Sequence, residues 1–103
     1  MYGRLIEFSG ADESKRDKAV ETMRGTVIPM LREYDGFAGY ISLFDPEQQR
    51  AKALILWESA EAGEEAEQTL AERRLKLAGS VGLTVESADL YEVPVAEFEG
   101  ARV

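Results

Sequence analysis

Residues 51–57 read Ala-Lys-Ala-Leu-Ile-Leu-Trp, and this stretch decides the fold. Five apolar residues in succession, from Ala53 to Trp57, predict a strand that is buried on both faces, because side chains of a strand alternate between the faces of its sheet. One layer of helices covers only one of those faces. In a chain of 103 residues, the cover for the second face is expected to come from a partner molecule.

Three further strands and two helices are predicted outward from this strand. The strands span residues 2–9, 37–44 and 83–95. The first helix spans residues 15–34, and the second begins after an N-cap at Ser59 and ends at the glycines of 79–82. The order strand, helix, strand, strand, helix, strand predicts an α+β fold. It is the ferredoxin-like βαββαβ arrangement, a four-stranded antiparallel sheet with both helices on one face. Residues 1–95 are predicted to form the single domain, with residues 96–103 as a C-terminal tail.

Two local features refine these elements. Pro29 lies inside the first helix, where it removes one hydrogen bond and crowds the carbonyl of Gly25. A bend between these residues is expected, with a complete break as the alternative. In the last strand, the alternation predicts that Leu83, Val85, Tyr91 and Val93 share one face.

The composition excludes several classes of function. Twenty acidic against twelve basic residues give a net charge of −8, which argues against nucleic-acid partners and anionic membranes. The chain has neither Cys nor His, so thiolate chemistry, a Ser-His-Asp triad and histidine ligation of metal or haem are excluded. The N-terminus lacks the apolar core of a signal peptide, and no apolar run approaches the ~20 residues of a membrane helix. A cytoplasmic location is expected.

A resemblance to a known family emerges at two places in the chain. Residues 28–40 read Ile-Pro-Met-Leu-Arg-Glu-Tyr-Asp-Gly-Phe-Ala-Gly-Tyr, and residues 57–62 read Trp-Glu-Ser-Ala-Glu-Ala. Both resemble segments of the antibiotic-biosynthesis-monooxygenase family, in the same order along the chain. The resemblance covers nearly the whole sequence. It implies a dimeric α/β barrel, in which the sheets of two copies pack face to face through their open faces.

The same resemblance implies a function. Members of the family include cofactor-independent oxygenases of aromatic phenols, so the chain is expected to bind a small aromatic or polyketide-like molecule between sheet and helices, without metal or organic cofactor. Trp57 is expected to form an aromatic wall of the pocket, Tyr40 and Tyr34 to supply stacking and hydrogen bonds, and Arg4 to stabilise a phenolate. No residue is assigned as catalytic.

Each of these residues also has a purely structural interpretation. Trp57 fits a core position at a strand end, Tyr40 fits cross-strand packing, and Arg4 fits a surface ion pair with Glu7 or Glu92. The acidic cluster of Glu61, Glu64, Glu65 and Glu67 is interpreted as a solvated helix start rather than a metal site.

One alternative to an oxygenase remains within the family. Haem-degrading members use a His and an Asn, and this chain contains neither. A non-catalytic ligand-binding or assembly module of the same fold is the main alternative to an oxygenase. An open pocket between Trp57 and the first helix would favour the enzyme, and a filled space would favour the module.

Overall fold

The computed structural model describes residues 1–100 and confirms the ferredoxin-like fold. Strands β1 (Tyr2–Ser9), β2 (Phe37–Asp45), β3 (Arg50–Trp57) and β4 (Thr84–Glu92) form one antiparallel sheet in the order β2-β3-β1-β4. The helices that follow β1 and β3 both cover the same face of this sheet. The strand predicted from residues 51–57 is therefore a central one, paired on both sides.

The hydrophobic core lies between the sheet and the helices. Alternate residues of the two central strands point into it, among them Ile6, Ile55 and Trp57. The helices contribute Leu31 and Leu70 from above. Burial of such side chains contributes ~1.5–3 kcal/mol each, so this layer is the main source of stability in a chain without disulfides.

The first helical region contains a π-helical turn at the place where a bend was predicted. It consists of helix α1 (Arg16–Thr22), a π-helical segment (Met23–Val27) and helix α2 (Ile28–Leu31). The backbone N–H of Ile28 donates to the carbonyl of Met23, five residues back. Pro29 has no N–H to donate, and the wider turn moves its ring away from the preceding carbonyls. The chain thus stays helical through the proline, but helix α2 ends three residues before the predicted boundary at Tyr34.

The second helix, α3 (Ala60–Ser80), begins where the sequence predicts. The side chain of Ser59 accepts a hydrogen bond of 3.1 Å from the backbone N–H of Ala62, which satisfies one of the free donors at the helix start. Its buried residues include Ala66 and Leu70.

A β-bulge corrects the predicted face of the last strand. The register of β4 against β1 shifts between Glu7 and Phe8, so that Val85 pairs with Phe8 while Ser87 pairs with Glu7. An extra residue in one strand reverses the alternation beyond it. Val85 therefore packs against the core, whereas Tyr91 lies on the opposite face, and the two do not share a face as expected.

The face of the sheet that carries no helices is apolar at its centre. Cross-strand pairing places Ile41, Leu54 and Leu5 in one row across β2, β3 and β1. The other large apolar side chains of this open sheet face are Leu43, Leu56 and Tyr91. Leu43 and Tyr91 are 53% and 54% exposed. Lys52 and Glu7 form an ion pair of 3.1 Å beside this patch.

Residues 96–100 follow β4 without regular secondary structure, and residues 101–103 of the predicted tail lie outside the described residues. Within residues 1–100, no helix combines the length and the apolar composition needed to cross a bilayer. The cytoplasmic location and the boundary at residue 95 stay predictions.

Candidate ligand cavity

A cavity of about 640 Å³ lies between the sheet and the first helical region. Its volume is within the range of ~300–1,000 Å³ that is usual for small-molecule sites. The sheet contributes Phe8, Tyr40 and Phe44, the first helical region contributes Val20, Met23 and Val27, and α3 contributes Leu70, Arg74 and Leu77. Two of the helical residues, Met23 and Val27, belong to the π-helical segment, whose wider turn shapes this wall.

The cavity lies away from Trp57. The indole is 1% exposed and makes edge-to-face contacts with Tyr34 and Phe37, at centroid distances of 6.4 and 6.0 Å. Gly63 packs against the same ring, where an added Cβ would lie 3.3 Å from the indole. The space between Trp57 and the first helical region is thus filled by aromatic side chains, and Trp57 does not border the cavity.

Of the four residues predicted to contact a ligand, Tyr40 alone borders the cavity. Tyr34 packs on the core and hydrogen-bonds through its hydroxyl to the hydroxyl of Thr69 at 2.7 Å. Arg4 is 7% exposed. Arg4 and Tyr40 lie in the same row of the sheet, because both pair with Ile55 of β3, one from each side.

Arg4 belongs to a buried ion network, and not to the surface pair with Glu7 or Glu92 that was expected. Its guanidinium lies 3.5 Å from Glu64 and 3.7 Å from Glu67, both on α3. One of its N–H groups donates to the backbone carbonyl of Ala88 at 3.2 Å. The predicted partner was wrong because α3 crosses over β1 and brings its acidic first half directly above Arg4.

Glu67 joins Arg4 to the wall of the cavity. Both Nη atoms of Arg74 donate to the two carboxylate oxygens of Glu67 at 2.7 Å, a bidentate ion pair. The Arg74 side chain is 9% exposed and borders the cavity next to Tyr40. Glu67 therefore lies between two guanidinium groups, of which only that of Arg74 reaches the cavity.

The acidic start of α3 serves these ion pairs. Glu64 and Glu67 both face Arg4, whereas Glu61 and Glu65 are exposed. Among residues 1–100, no three carboxylates converge in a way that could hold a metal ion.

Burial raises the pKa of Tyr40 to about 12, while the positive charge of Arg74 acts in the opposite direction. The phenol therefore stays protonated at neutral pH and is a hydrogen-bond donor to whatever occupies the cavity. It is not suited to act as a general base there, because a base needs a pKa near the working pH.

The raised pKa of Tyr40 makes a prediction about alkaline stability. An unfolded tyrosine ionises near pH 10, so the folded protein binds one more proton between pH 10 and 12. The contribution of the protonated Tyr40 to the free energy of unfolding is complete below pH 10 and is lost as the pH rises through about 12. We expect urea midpoints to fall more steeply above pH 10 in the natural protein than in Tyr40→Phe. Equal slopes for the two proteins would contradict the assignment.

The charges around the cavity are of one sign. Five of its lining residues are cationic and none carries a carboxylate, although the chain has 20 acidic and 12 basic residues. The five are Lys15, Arg16, Arg24, Lys52 and Arg74. Lys52 directs its ammonium to Glu7 on the open sheet face, and Arg16 and Arg24 are exposed at the rim.

Tyr40 is the one lining residue that the sequence predicted as a ligand contact, and Arg74 and Phe98 are two informative residues among the others. Arg74 falls at the inward positions of α3, four residues after Leu70 and three before Leu77, so a cation within the apolar stripe was the available signal. Phe98 comes from the segment expected to be a loose tail, and it borders the cavity although 67% of its surface is exposed. No sequence pattern indicated that contact.

The fold is that of known oxygenases. The ActVA-Orf6 monooxygenase of Streptomyces coelicolor, solved with the ligand nanaomycin D, superimposes with a TM-score of 0.69 and 21% identity, over 94% of this chain and 90% of that one. SnoaB, a cofactor-independent oxygenase of Streptomyces nogalater, superimposes with a TM-score of 0.63 and 12% identity, over 92% of this chain and 94% of that one. A candidate antibiotic biosynthesis monooxygenase of Deinococcus radiodurans superimposes with a TM-score of 0.68 and 15% identity, over 95% of this chain and 97% of that one.

The chain thus has the fold of the antibiotic-biosynthesis-monooxygenase-type proteins, which confirms the resemblance found in the sequence. At these identities the likeness concerns the fold alone. No protein-family model matches the sequence, and no curated protein is similar to it.

Proposed function

We propose that the protein binds a small aromatic or polyketide-like molecule in the cavity between its sheet and its first helical region. The observation that carries this proposal is the cavity itself, about 640 Å³ with mostly apolar walls. An apolar pocket with a few converging polar groups is the usual form of a small-molecule site. Tyr40 and Arg74 supply the polar groups, and Trp57 and Tyr34 support the neighbouring core without touching the ligand.

We further propose that the bound molecule is oxygenated without a cofactor. ActVA-Orf6 and SnoaB are oxygenases of the same fold, and an anthrone or quinol can itself supply the electrons that reduce oxygen. Loss of a proton from an anthrone gives an enolate, which reacts with O₂. One oxygen atom becomes the new quinone carbonyl, and the other leaves as water with the two methylene hydrogens. The guanidinium of Arg74 is placed to stabilise the enolate oxygen.

A binding or assembly module without chemistry is the second candidate. It is favoured by the filled space between Trp57 and the first helical region, which is the outcome expected of a module. The raised pKa of Tyr40 and the lack of carboxylates among the lining residues also favour it, because neither leaves an evident general base there. Oxygen uptake with anthrone separates the two candidates. The oxygenase proposal requires one O₂ consumed per quinone formed, at a rate above that of protein-free solution, and an unchanged rate would leave the binding module.

The open sheet face supports a dimer of two copies packed sheet to sheet. Its exposed apolar side chains are Ile41 and Leu43 on β2 and Tyr91 on β4, with Leu54 and Leu5 of the central strands on the same face between them; exposed apolar surface of this kind marks an interface. Such a dimer would give β3 the cover on its second face that its sequence requires.

The binding site can be tested by filling the cavity. Ala19 borders the cavity from α1, whereas Ala71 of α3 is exposed and does not border it. We expect Ala19→Phe to weaken binding of the fluorescent probe N-phenyl-1-naphthylamine at least ~10-fold, because the added ring occupies the site. Ala71→Phe is the matched control and should bind as the natural protein does. Equal affinities in both variants would show that the probe binds elsewhere.

A further inference from the structure

The charged side chains that line the cavity are cations, and four of them have a carboxylate partner outside the lining: Asp12 for Lys15, Asp17 for Arg16, Glu7 for Lys52 and Glu67 for Arg74. The lining has five cations and no carboxylate in a chain whose net charge is −8. Arg74 is the buried member of this group, with a side chain that is 9% exposed. A buried cation is costly unless a negative group accompanies it. Glu67 accompanies Arg74 at 2.7 Å, so an anionic occupant at this end of the cavity is favoured only as far as Glu67 is shared with a second cation.

The ion network beside Arg74 leaves its charge incompletely balanced. Two buried guanidiniums, those of Arg4 and Arg74, share the carboxylate of Glu67. Glu64 also faces Arg4, but its side chain is 65% exposed, so water screens much of its charge. Arg4, Glu67 and Arg74 together thus have a net positive charge on the side that faces the cavity.

Two of the nitrogen atoms of Arg4 are buried donors without a hydrogen-bond acceptor in the described part of the chain. Within residues 1–100, its Nε and Nη2 atoms are buried and have no hydrogen-bond partner. The distances of 3.7 Å to Glu67 and 3.5 Å to Glu64 are those of ion pairs, and the bidentate pair with Arg74 holds Glu67 more closely. Buried donors that lack a partner cost free energy, so a small movement of Glu67 toward Arg4 would satisfy them.

We propose that the cavity binds an anion on an apolar body, such as a carboxylate, phenolate or enolate, with its charge at Arg74. We propose further that Arg4 sets the affinity for this anion without touching it, because its positive charge offsets part of the negative charge that Glu67 places beside Arg74. Arg4 is therefore a positioning residue. The inference rests on the proposed ligand cavity and names the chemical class of its ligand.

Two probes with the same ring system separate charge from shape. The first is 8-anilinonaphthalene-1-sulfonate, which is anionic, and the second is N-phenyl-1-naphthylamine, which lacks the sulfonate. Binding of each is measured by fluorescence titration, with circular dichroism to check that every variant is folded. A group that only maintains the structure affects both probes, whereas a group that sets the charge affects the anionic probe alone.

Two substitutions are expected to change the affinity for the anionic probe in opposite directions. Arg4→Met leaves Glu67 to neutralise Arg74, and we expect affinity for the anionic probe to fall about tenfold, the order expected for one charge acting in a partly buried environment. Glu67→Gln removes the competing carboxylate, and affinity for the anionic probe should rise. The double variant restores the net charge of the group and should return to within about threefold of the natural protein.

Two controls distinguish this effect from altered packing or overall charge. Arg4→Lys keeps the charge and should keep the affinity for the anionic probe. Arg73→Met removes a charge from the exposed side of α3 and should change neither affinity by more than about twofold, because exposed charges are screened. Affinity for the neutral probe should stay constant in all variants.

The possible outcomes separate the two proposals. If both probes bind and Arg4→Met and Glu67→Gln shift them equally, or shift the anionic probe in the same direction, the charge-setting role of Arg4 is overturned while the cavity remains a binding site. If neither probe binds the natural protein, the proposed function fails together with this inference.

Discussion

Replacing Trp57 with alanine is expected to lower the free energy of unfolding by about 3–5 kcal/mol, the range for loss of a large buried aromatic side chain. The indole is 1% exposed and is the largest of the fully buried side chains. It contacts Tyr34 and Phe37 edge to face and also fills the space that Gly63 leaves open. Because these neighbours come from the turn after α2, from β2 and from α3, they cannot collapse together onto the gap. Urea denaturation followed by circular dichroism measures the loss.

Trp57→Phe is the matched variant, because it keeps an aromatic ring and should cost clearly less. The position of the cavity adds a second expectation. Trp57 does not border it, so the folded Trp57→Phe protein should bind N-phenyl-1-naphthylamine as the natural protein does. Large loss of probe affinity in a stably folded Trp57→Phe would mean that the indole does contact the ligand, as the family resemblance implies. A loss of stability below ~1 kcal/mol in Trp57→Ala would contradict the packing described above.

Replacing Leu43 with glutamate is expected to convert the proposed dimer into monomers. The Leu43 side chain is 53% exposed in the single chain, so the change removes little that stabilises the monomer. In a dimer packed through the open sheet face, each copy would bury an unpaired carboxylate, at an effective cost of several kcal/mol per charge. A rise in the dissociation constant of at least ~100-fold follows, since each 1.4 kcal/mol is a factor of ten. Sedimentation velocity across micromolar concentrations measures it.

Leu75→Glu provides the control for this experiment. Leu75 is also a large exposed apolar residue, 60% exposed, but it lies on α3 and not on the open sheet face. The same change in charge and size at Leu75 should leave the dimer intact. A natural protein that is monomeric at micromolar concentration, or equal dissociation of both variants, would contradict an interface on the sheet.

The prediction of fold succeeded where the signal is local. The period of two in the strands, the Ser59 cap and the disturbance around Pro29 each depend on residues close in sequence. The unbroken apolar run of residues 53–57 likewise predicted a strand, and the structure has β3 at that place. These features needed no knowledge of how the elements are arranged in space.

The candidate site was predicted only in part, because its geometry depends on distant elements. Arg4 and Glu67 are 63 residues apart in the chain, and only the crossing of α3 over β1 makes them ion partners. The bulge opposite Glu7 reversed the faces of β4. Trp57, the most conspicuous residue of the sequence, lies in the core, where β2 and the turn after α2 both present aromatic rings to it.

The stretch from Ala51 to Trp57 therefore determined by itself a strand with apolar side chains on both of its faces. This is so because the alternation of side chains is a property of the extended backbone. Only the tertiary structure decided where the free volume lies and which charges border it. Cavities and ion pairs are what remains after helices and sheet have packed, and a packing of whole elements is not encoded at any single position.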